Sequence, residues 1–263
     1  MERTTSPDSP VSLTEIRALA AERAWQRLAE YVAPVEGNDW TDQPEVLFHY
    51  ADALWRLGSA THALEVTARI EQVVRRSGNR HLLLDLVNVI GMALFEEGRI
   101  PDAEDRFEAL LEHATAWEND DFAARASNNL GILASIRGRN DEALLSYKRA
   151  LVAYQKLGSM RGLAQTHHNM GICYRDLGYQ AEADRHFERA ISLARDDGSP
   201  DVVATAESER AMLRVQWGDP ALARVMAGRA IQSFERMADP LGRADALRVL
   251  AAASRADGDP TAA

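Results

Sequence analysis

Six glycines recur at intervals of forty residues: Gly58, Gly98, Gly138, Gly178, Gly218 and Gly258. Seven residues before each stands a small residue, in the order Ala51, Gly91, Gly131, Gly171, Ala211 and Ala251. Five residues after each stands alanine: Ala63, Ala103, Ala143, Ala183, Ala223 and Ala263. A fixed period of this length predicts a solenoid, in which one supersecondary unit is stacked and each copy packs only on its neighbours. A chain of this kind has no single central core, and its long repeated faces suit binding.

The unit reads as two helices. In the third, apolar spacing predicts helix A from about Phe122 to Arg137, stopped by Gly138 in a left-handed turn. Asn140 and Asp141 are placed to cap helix B, which runs to Leu157 and breaks at Gly158. The same break recurs at Gly78 and Gly198, with Asp239-Pro240 serving the fifth unit. No segment alternates with period two, so no strand is expected.

Position 131 and its equivalents bring helix A against helix B. Four residues after the helix-B alanine a large side chain fills the gap: Phe107, Tyr147 and Phe187, relaxed to Thr67 and Ala227 in the flanking units. Ahead of the array, residues 1–12 read as a disordered lead. Residues 13–43 read as an N-terminal helix, Leu13 to about Tyr31 with a Ser12/Glu15 capping box, and a linker. Pro44 then opens the first repeat, at a helix position that tolerates proline. The array spans 44–263, with repeats near 44–83, 84–123, 124–163, 164–203, 204–243 and an incomplete 244–263. Helix A of that last unit reads either as a polar C-terminal cap or as the start of a further pair in a longer array.

The residues named above resemble the tetratricopeptide repeat, whose pattern is Leu-Gly-x-x-Tyr on helix A and Ala-x-x-x-Phe on helix B. Gly171 with Tyr174 matches the first part, as does Leu130-Gly131; Ala183 with Phe187 and Ala103 with Phe107 match the second. The usual tryptophan is replaced by Leu47, Val87, Ser127, His167, Glu207 and Leu247, and the period is forty where the family's is thirty-four. The forty-residue form, with its Asn-Asn-Leu-Gly helix, resembles kinesin light chain and Pins-type adaptors, and the repeat arrays of bacterial regulators. The resemblance implies an all-α fold: a right-handed superhelical solenoid of antiparallel helix pairs, about six repeats plus the N-terminal helix.

It also implies that one stripe of each helix A lines a concave groove. Three residues before position 131 and its equivalents stand Asn88, Asn128 and His168; two before stand Asn129 and Asn169. An amide both donates and accepts, so these side chains can hold a peptide main chain, or else bond neighbouring helices. One residue after stand Met92, Ile132, Ile172 and Met212, extended by Phe95, Ile136 and Val215. They read as an exposed apolar stripe or as packing between successive A helices. Arg175, with Arg125, Asp176, Gln165 and Glu96, stands where it can select charge on a ligand, or else is simply solvated.

Other chemistry finds little purchase. The net charge of −10 removes nucleic acid and anionic membrane as main partners, since both need a basic face. Arginine replaces lysine almost throughout, Lys148 and Lys156 being the only lysines, which fits a GC-rich bacterial genome. One cysteine, Cys173, allows no intrachain disulfide. The N-terminus lacks the apolar segment of a secretory signal, and a cytoplasmic setting is expected. His167 and His168 are adjacent and so point apart on a helix, which gives no metal site. There is no nucleophile elbow and no phosphate-binding glycine loop, so neither catalysis nor a cofactor is expected. The expected function is a protein-interaction adaptor that binds a peptide segment or helix of a partner in the groove. The alternatives are a peptide- or ligand-sensing domain of a bacterial signalling protein and a self-associating scaffold.

Overall fold

The computed structural model describes residues 11–40 and 42–258. The greater part of the lead, residues 1–10, and the start of helix B in the sixth unit lie outside the described residues. All described regular structure is helical. It comprises α1 (Leu13–Ala21), α2 (Trp25–Val32), α3 (Pro44–Arg56), α4 (Ala60–Ser77), α5 (Arg80–Glu96), α6 (Ile100–Ala116), α7 (Asp120–Ile136), α8 (Asn140–Leu157), α9 (Met160–Asp176), α10 (Gln180–Asp197), α11 (Pro200–Gln216), α12 (Pro220–Arg236) and α13 (Pro240–Ala256), with a 3-10 turn at Ala33–Val35. Helix pairs thus begin at Arg80, Asp120, Met160, Pro200 and Pro240, four residues ahead of the repeat bounds counted from the sequence.

Each helix ends for a local reason. Gly58, Gly98, Gly138, Gly178, Gly218 and Gly258 take φ of +72° to +81° at the ends of the A helices, a region that costs residues with a Cβ. Gly78, Gly158 and Gly198 do the same after α4, α8 and α10. The series is completed by Glu118 and Ala238, which hold φ of 54° and 53° without glycine's freedom. Helix starts are marked by Asn79, Asn119, Ser159 and Asp239, whose side chains accept from the amide N–H three residues on at the heads of α5, α7, α9 and α13. Asn140 and Asp141 do not cap α8: both lie inside the helix, and its N-cap, Arg139, makes no side-chain cap bond.

The chain divides into two compact units, Met1–Glu118 and Asn119–Ala263. In the first, α3 packs on α4 and α5 on α6, with α5 also against α3. The expected single helix over residues 13–31 is two helices. Arg23 turns left-handed at φ 56°, and the Ala24 N–H bonds back to the Leu19 carbonyl at 2.9 Å. Helical spacing persists through the turn because α1 and α2 each bury an apolar stripe on α3, Ile16 and Leu19 from one, Leu28 and Val32 from the other. The break also sets Trp25 under the Arg56 guanidinium, 4.6 Å from its ring centre, with Trp55 at 4.8 Å. Ser12 makes no side-chain cap; its backbone N–H donates instead to the Tyr31 hydroxyl at 3.0 Å.

In the second unit α7 packs on α8, α9 on α10 and α11 on α12, and α13 lies across α11 and α12. Large rings enter the gaps that glycines leave. A Cβ on Gly131 would stand 2.5 Å from the Tyr147 ring, and one on Gly171 equally close to Phe187. Gly91 and Phe107 repeat the arrangement in the first unit, at 2.7 Å. A second interlock joins consecutive pairs: Gly162 receives the ring of Tyr154, and Gly242 that of Phe234. Along the A layer, α7 touches α9, α9 touches α11 and α11 touches α13; α8, α10 and α12 make no comparable contact with one another among the described residues. The stack in this unit therefore closes toward its A helices. The exposed side of α13 mixes charged and apolar residues: Arg243, Asp245, Arg248 and Arg255 stand beside Leu241, 79% exposed, and Leu247, 38% exposed.

Candidate functional site

The A helices α7, α9 and α11 carry a cleft of about 370 Å³ in the second unit. Asn128, Asn129 and Ile132 line it from α7, Gln165, His168 and Asn169 from α9, and Asp201, Val202 and Thr205 from α11. On α7 and α9 these include repeat equivalents, Asn128 with His168 and Asn129 with Asn169, whereas α11 contributes residues about one to two turns earlier in its repeat, ahead of Ser208 and Glu209. Five residues expected in the groove are gathered here: Asn128, Asn129, Ile132, His168 and Asn169. Ile172, Arg175 and Met212 stand outside its lining. Asn88, Met92 and Phe95 lie on α5 of the first unit, where all three are half-buried and the Asn88 Oδ1 is buried without a hydrogen bond.

The asparagines are partly used by the fold. Asn169 Nδ2 donates to Asn128 Oδ1 at 3.2 Å, linking α9 to α7. The Thr166 hydroxyl lies 3.3 Å from the same oxygen while also donating to the Gly162 carbonyl at 2.8 Å. Two groups remain unmatched among the described residues, the Asn128 Nδ2 donor and the Asn169 Oδ1 acceptor. They sit on neighbouring helices with their orientation set by the bond between the two side chains.

The apolar stripe is packing more than surface. Ile132 packs on the cluster of Ala134, Ala143, Tyr147, Met170 and Cys173, Ile172 on Ala183, Phe187 and Leu213, and Met212 on Ala211, Met226, Ala227 and Val249. The exposed member is Ile136, at the end of α7.

Charge at the cleft is balanced inside the molecule. Arg161 clasps the Asp201 carboxylate with both terminal nitrogens. Burial alone would raise the Asp201 pKa, but these bonds outweigh it and hold the group below the ordinary aspartate value. Arg175 is spent on Asp176 and Glu209 and Arg125 on Asp121, so neither stands free to select a ligand's charge. The Glu209 pKa is raised by burial despite Arg175. His168 is pushed down to about 4 by burial, with Arg175 adding repulsion, and is neutral at physiological pH. Its Nδ1 is buried and unpartnered.

Sequence reasoning did not find Asp201 and Val202 as lining residues, although Arg161 and Asp201 are forty residues apart with opposite charge, a visible sign of pairing. It also missed that His167 meets His186 across the helix pair. Their Nδ1 atoms stand 3.0 Å apart, and the His186 ring stacks on Tyr174 at 5.1 Å. Among the described residues no three histidine, cysteine, aspartate or glutamate side chains gather as metal ligands. Cys173 is buried, and burial raises its thiol to about 11, which leaves little thiolate at neutral pH.

The tetratricopeptide-repeat family matches residues 82–156 and, separately, 164–197. These two stretches carry tetratricopeptide repeats. Solved structures extend the match in shape. BtubC (BKLC) from P. vanneervenii is similar at a TM-score of 0.64 and 18% identity, over 87% of this chain and 93% of that one. PlcR of Bacillus thuringiensis, solved with the peptide PapR7 and DNA, is similar at 0.59 and 18% identity, over 71% and 69%. A signal transduction ATPase with a tetratricopeptide repeat sensor, from Pyrococcus horikoshii, reaches 0.70 at 15% identity, over 93% of this chain and 38% of that one. At these identities the likeness is one of fold. No curated protein matches the sequence. No described helix is long and apolar enough to cross a membrane.

Proposed function

We propose that this tetratricopeptide-repeat chain is an interaction module that binds a peptide segment of another protein along the face of α7, α9 and α11. One observation carries the reading: the paired amides of Asn128 and Asn169 leave the Asn128 NH2 group and the Asn169 carbonyl oxygen unmatched, side by side, in a cleft of about 370 Å³. A peptide main chain offers the complementary carbonyl and N–H, and each such bond contributes a net of about 1 kcal/mol. The site is held by stacked helices, so little ordering cost accompanies binding. Recognition is non-covalent and needs no cofactor.

A sensing role is the second reading. It is supported by the kinds of protein that share the fold, one solved with a peptide and DNA and one described as carrying a repeat sensor. In that case the same cleft receives a signalling peptide.

The test is capture of partners from the native cell by the wild-type chain and by the Asn128→Ala/Asn169→Ala double variant. The variant is expected to lose the partner while keeping its helical circular dichroism and melting temperature. Equal capture by both chains removes the cleft as the binding site.

A further inference from the structure

The cleft holds no uncompensated charge. Of its nine lining residues only Asp201 is ionised at neutral pH, and both its oxygens are held by Arg161. The bordering arginines, Arg125 and Arg175, are matched by Asp121 and by Asp176 with Glu209. What the cleft presents is hydrogen-bonding but neutral: the Asn128 donor and the Asn169 acceptor, the Gln165 amide at its exposed mouth, and a Thr205 hydroxyl whose proton is engaged with the Asp201 carbonyl at 2.9 Å, leaving its lone pairs.

A carboxylate brought here meets no free cation to replace its water, and an ammonium meets no free anion. Either would exchange the hydration of a full charge for hydrogen bonds to neutral groups alone. The long-range field adds to this for acids, since the chain's net charge is −10. A main-chain amide suffers no such penalty, because it finds a donor and an acceptor already oriented.

We propose, building on the peptide-binding reading above, that this cleft selects an uncharged, chain-interior stretch of its partner, read through its backbone, and rejects chain ends and acidic or basic stretches. The occupant is an extended segment of small neutral polar and aliphatic residues. It crosses α7, α9 and α11 with at least one carbonyl on Asn128 Nδ2 and one N–H on Asn169 Oδ1. Charge matching takes no part in its affinity.

The test uses the full chain and three pools of synthetic peptides of about nine residues, long enough to span about 30 Å when extended. The first pool is acetylated, amidated and free of charged side chains. The second has the same residues with a free carboxyl end. The third is capped but carries Asp, Glu, Lys or Arg at varied positions. Binding is read by fluorescence anisotropy at about 50 and about 500 mM salt, a range over which unscreened ion pairing weakens by about tenfold or more.

The expected result is that binders come from the first pool, change affinity less than about twofold with salt, and are lost with Asn128→Ala and with Asn169→Ala. Binders from the second or third pool that weaken steeply with salt, yet still need Asn128 and Asn169, overturn the selectivity while leaving the peptide-binding site in place. Binding indifferent to both substitutions, or none from any pool, overturns the site and the selectivity together. Circular dichroism of each variant, with Gln165→Ala as a milder one at the exposed mouth, separates lost contacts from lost folding.

Discussion

Histidine protonation on α9 is decided by water exclusion more than by neighbours. His167 and His168 are each pushed down to about 4, first by burial and then by the repulsion of His186 and Arg189 in one case and of Arg175 in the other. In the unfolded chain the same imidazoles take a proton near 6.5. Between those values the unfolded state binds more protons than the folded one, so stability rises with pH. The contribution is complete above about pH 6.5 and falls away as pH drops toward 4. Each pKa unit is worth about 1.4 kcal/mol before solvent screening, so the half-buried pair is expected to cost on the order of 2 kcal/mol between pH 6.5 and 5. Urea unfolding at the two pH values measures it, and His168→Gln is expected to flatten the slope. An unchanged slope in that variant removes His168 from the account. At the same scale, one shared amide hydrogen bond separates a free asparagine from an occupied one.

At the scale of the helix, two devices repeat: a ring that fills a glycine gap and a left-handed residue that ends the turn. The gaps are complementary within the chain. Where helix A carries Gly91, Gly131 or Gly171, helix B carries Phe107, Tyr147 or Phe187; where helix A keeps Ala51 or Ala211, helix B has Thr67 or Ala227. Between consecutive pairs Tyr154 faces Gly162, whereas Ala194 and Val202 share the same kind of junction at more equal size. The left-handed positions are less uniform. Glu118 and Ala238 are exposed and hold positive φ with a Cβ present, which costs about 1–2 kcal/mol relative to glycine. Ala238→Gly and Glu118→Gly are therefore each expected to raise the unfolding free energy by about 1 kcal/mol, part of the gain being offset by glycine's greater freedom when unfolded. Thermal and urea unfolding read this directly, and a loss of stability in both variants contradicts it.

Across the whole molecule, stability is a sum over neighbours, because each helix pair packs only on those beside it. Helix α9 has α7, α8, α10 and α11 around it, whereas α13 has α11 and α12 alone among the described residues. The difference shows in equivalent side chains: Leu47 and Val87 are each 1% exposed, while Leu247 at the same register position is 38% exposed. Native-state hydrogen exchange is expected to run faster in α13 than in α9 by about tenfold or more, although both helices have 17 residues. Equal protection would mean that the second unit opens as one block and not by its end helix.

The forty-residue period, the paired helices, the glycine turns and the ring-into-glycine contact were all legible in the sequence. Each depends on residues a few positions apart: a left-handed φ is a property of one residue, and an amphipathic stripe of one helix. The break at Arg23 was not legible, because helical spacing runs through it, and it shows only where α1 and α2 each pack on α3. Nor was the state of the candidate groove. Whether Asn128 is free or occupied, whether Arg175 faces a ligand or Glu209, and whether His167 meets His186 all depend on helices brought together across the stack. Those contacts join residues about twenty to forty positions apart, where a small change in helix spacing decides which polar groups meet. The sequence alone therefore determined the scaffold and the stripe on which recognition stands, and the tertiary structure decided which atoms on that stripe are left to recognise anything.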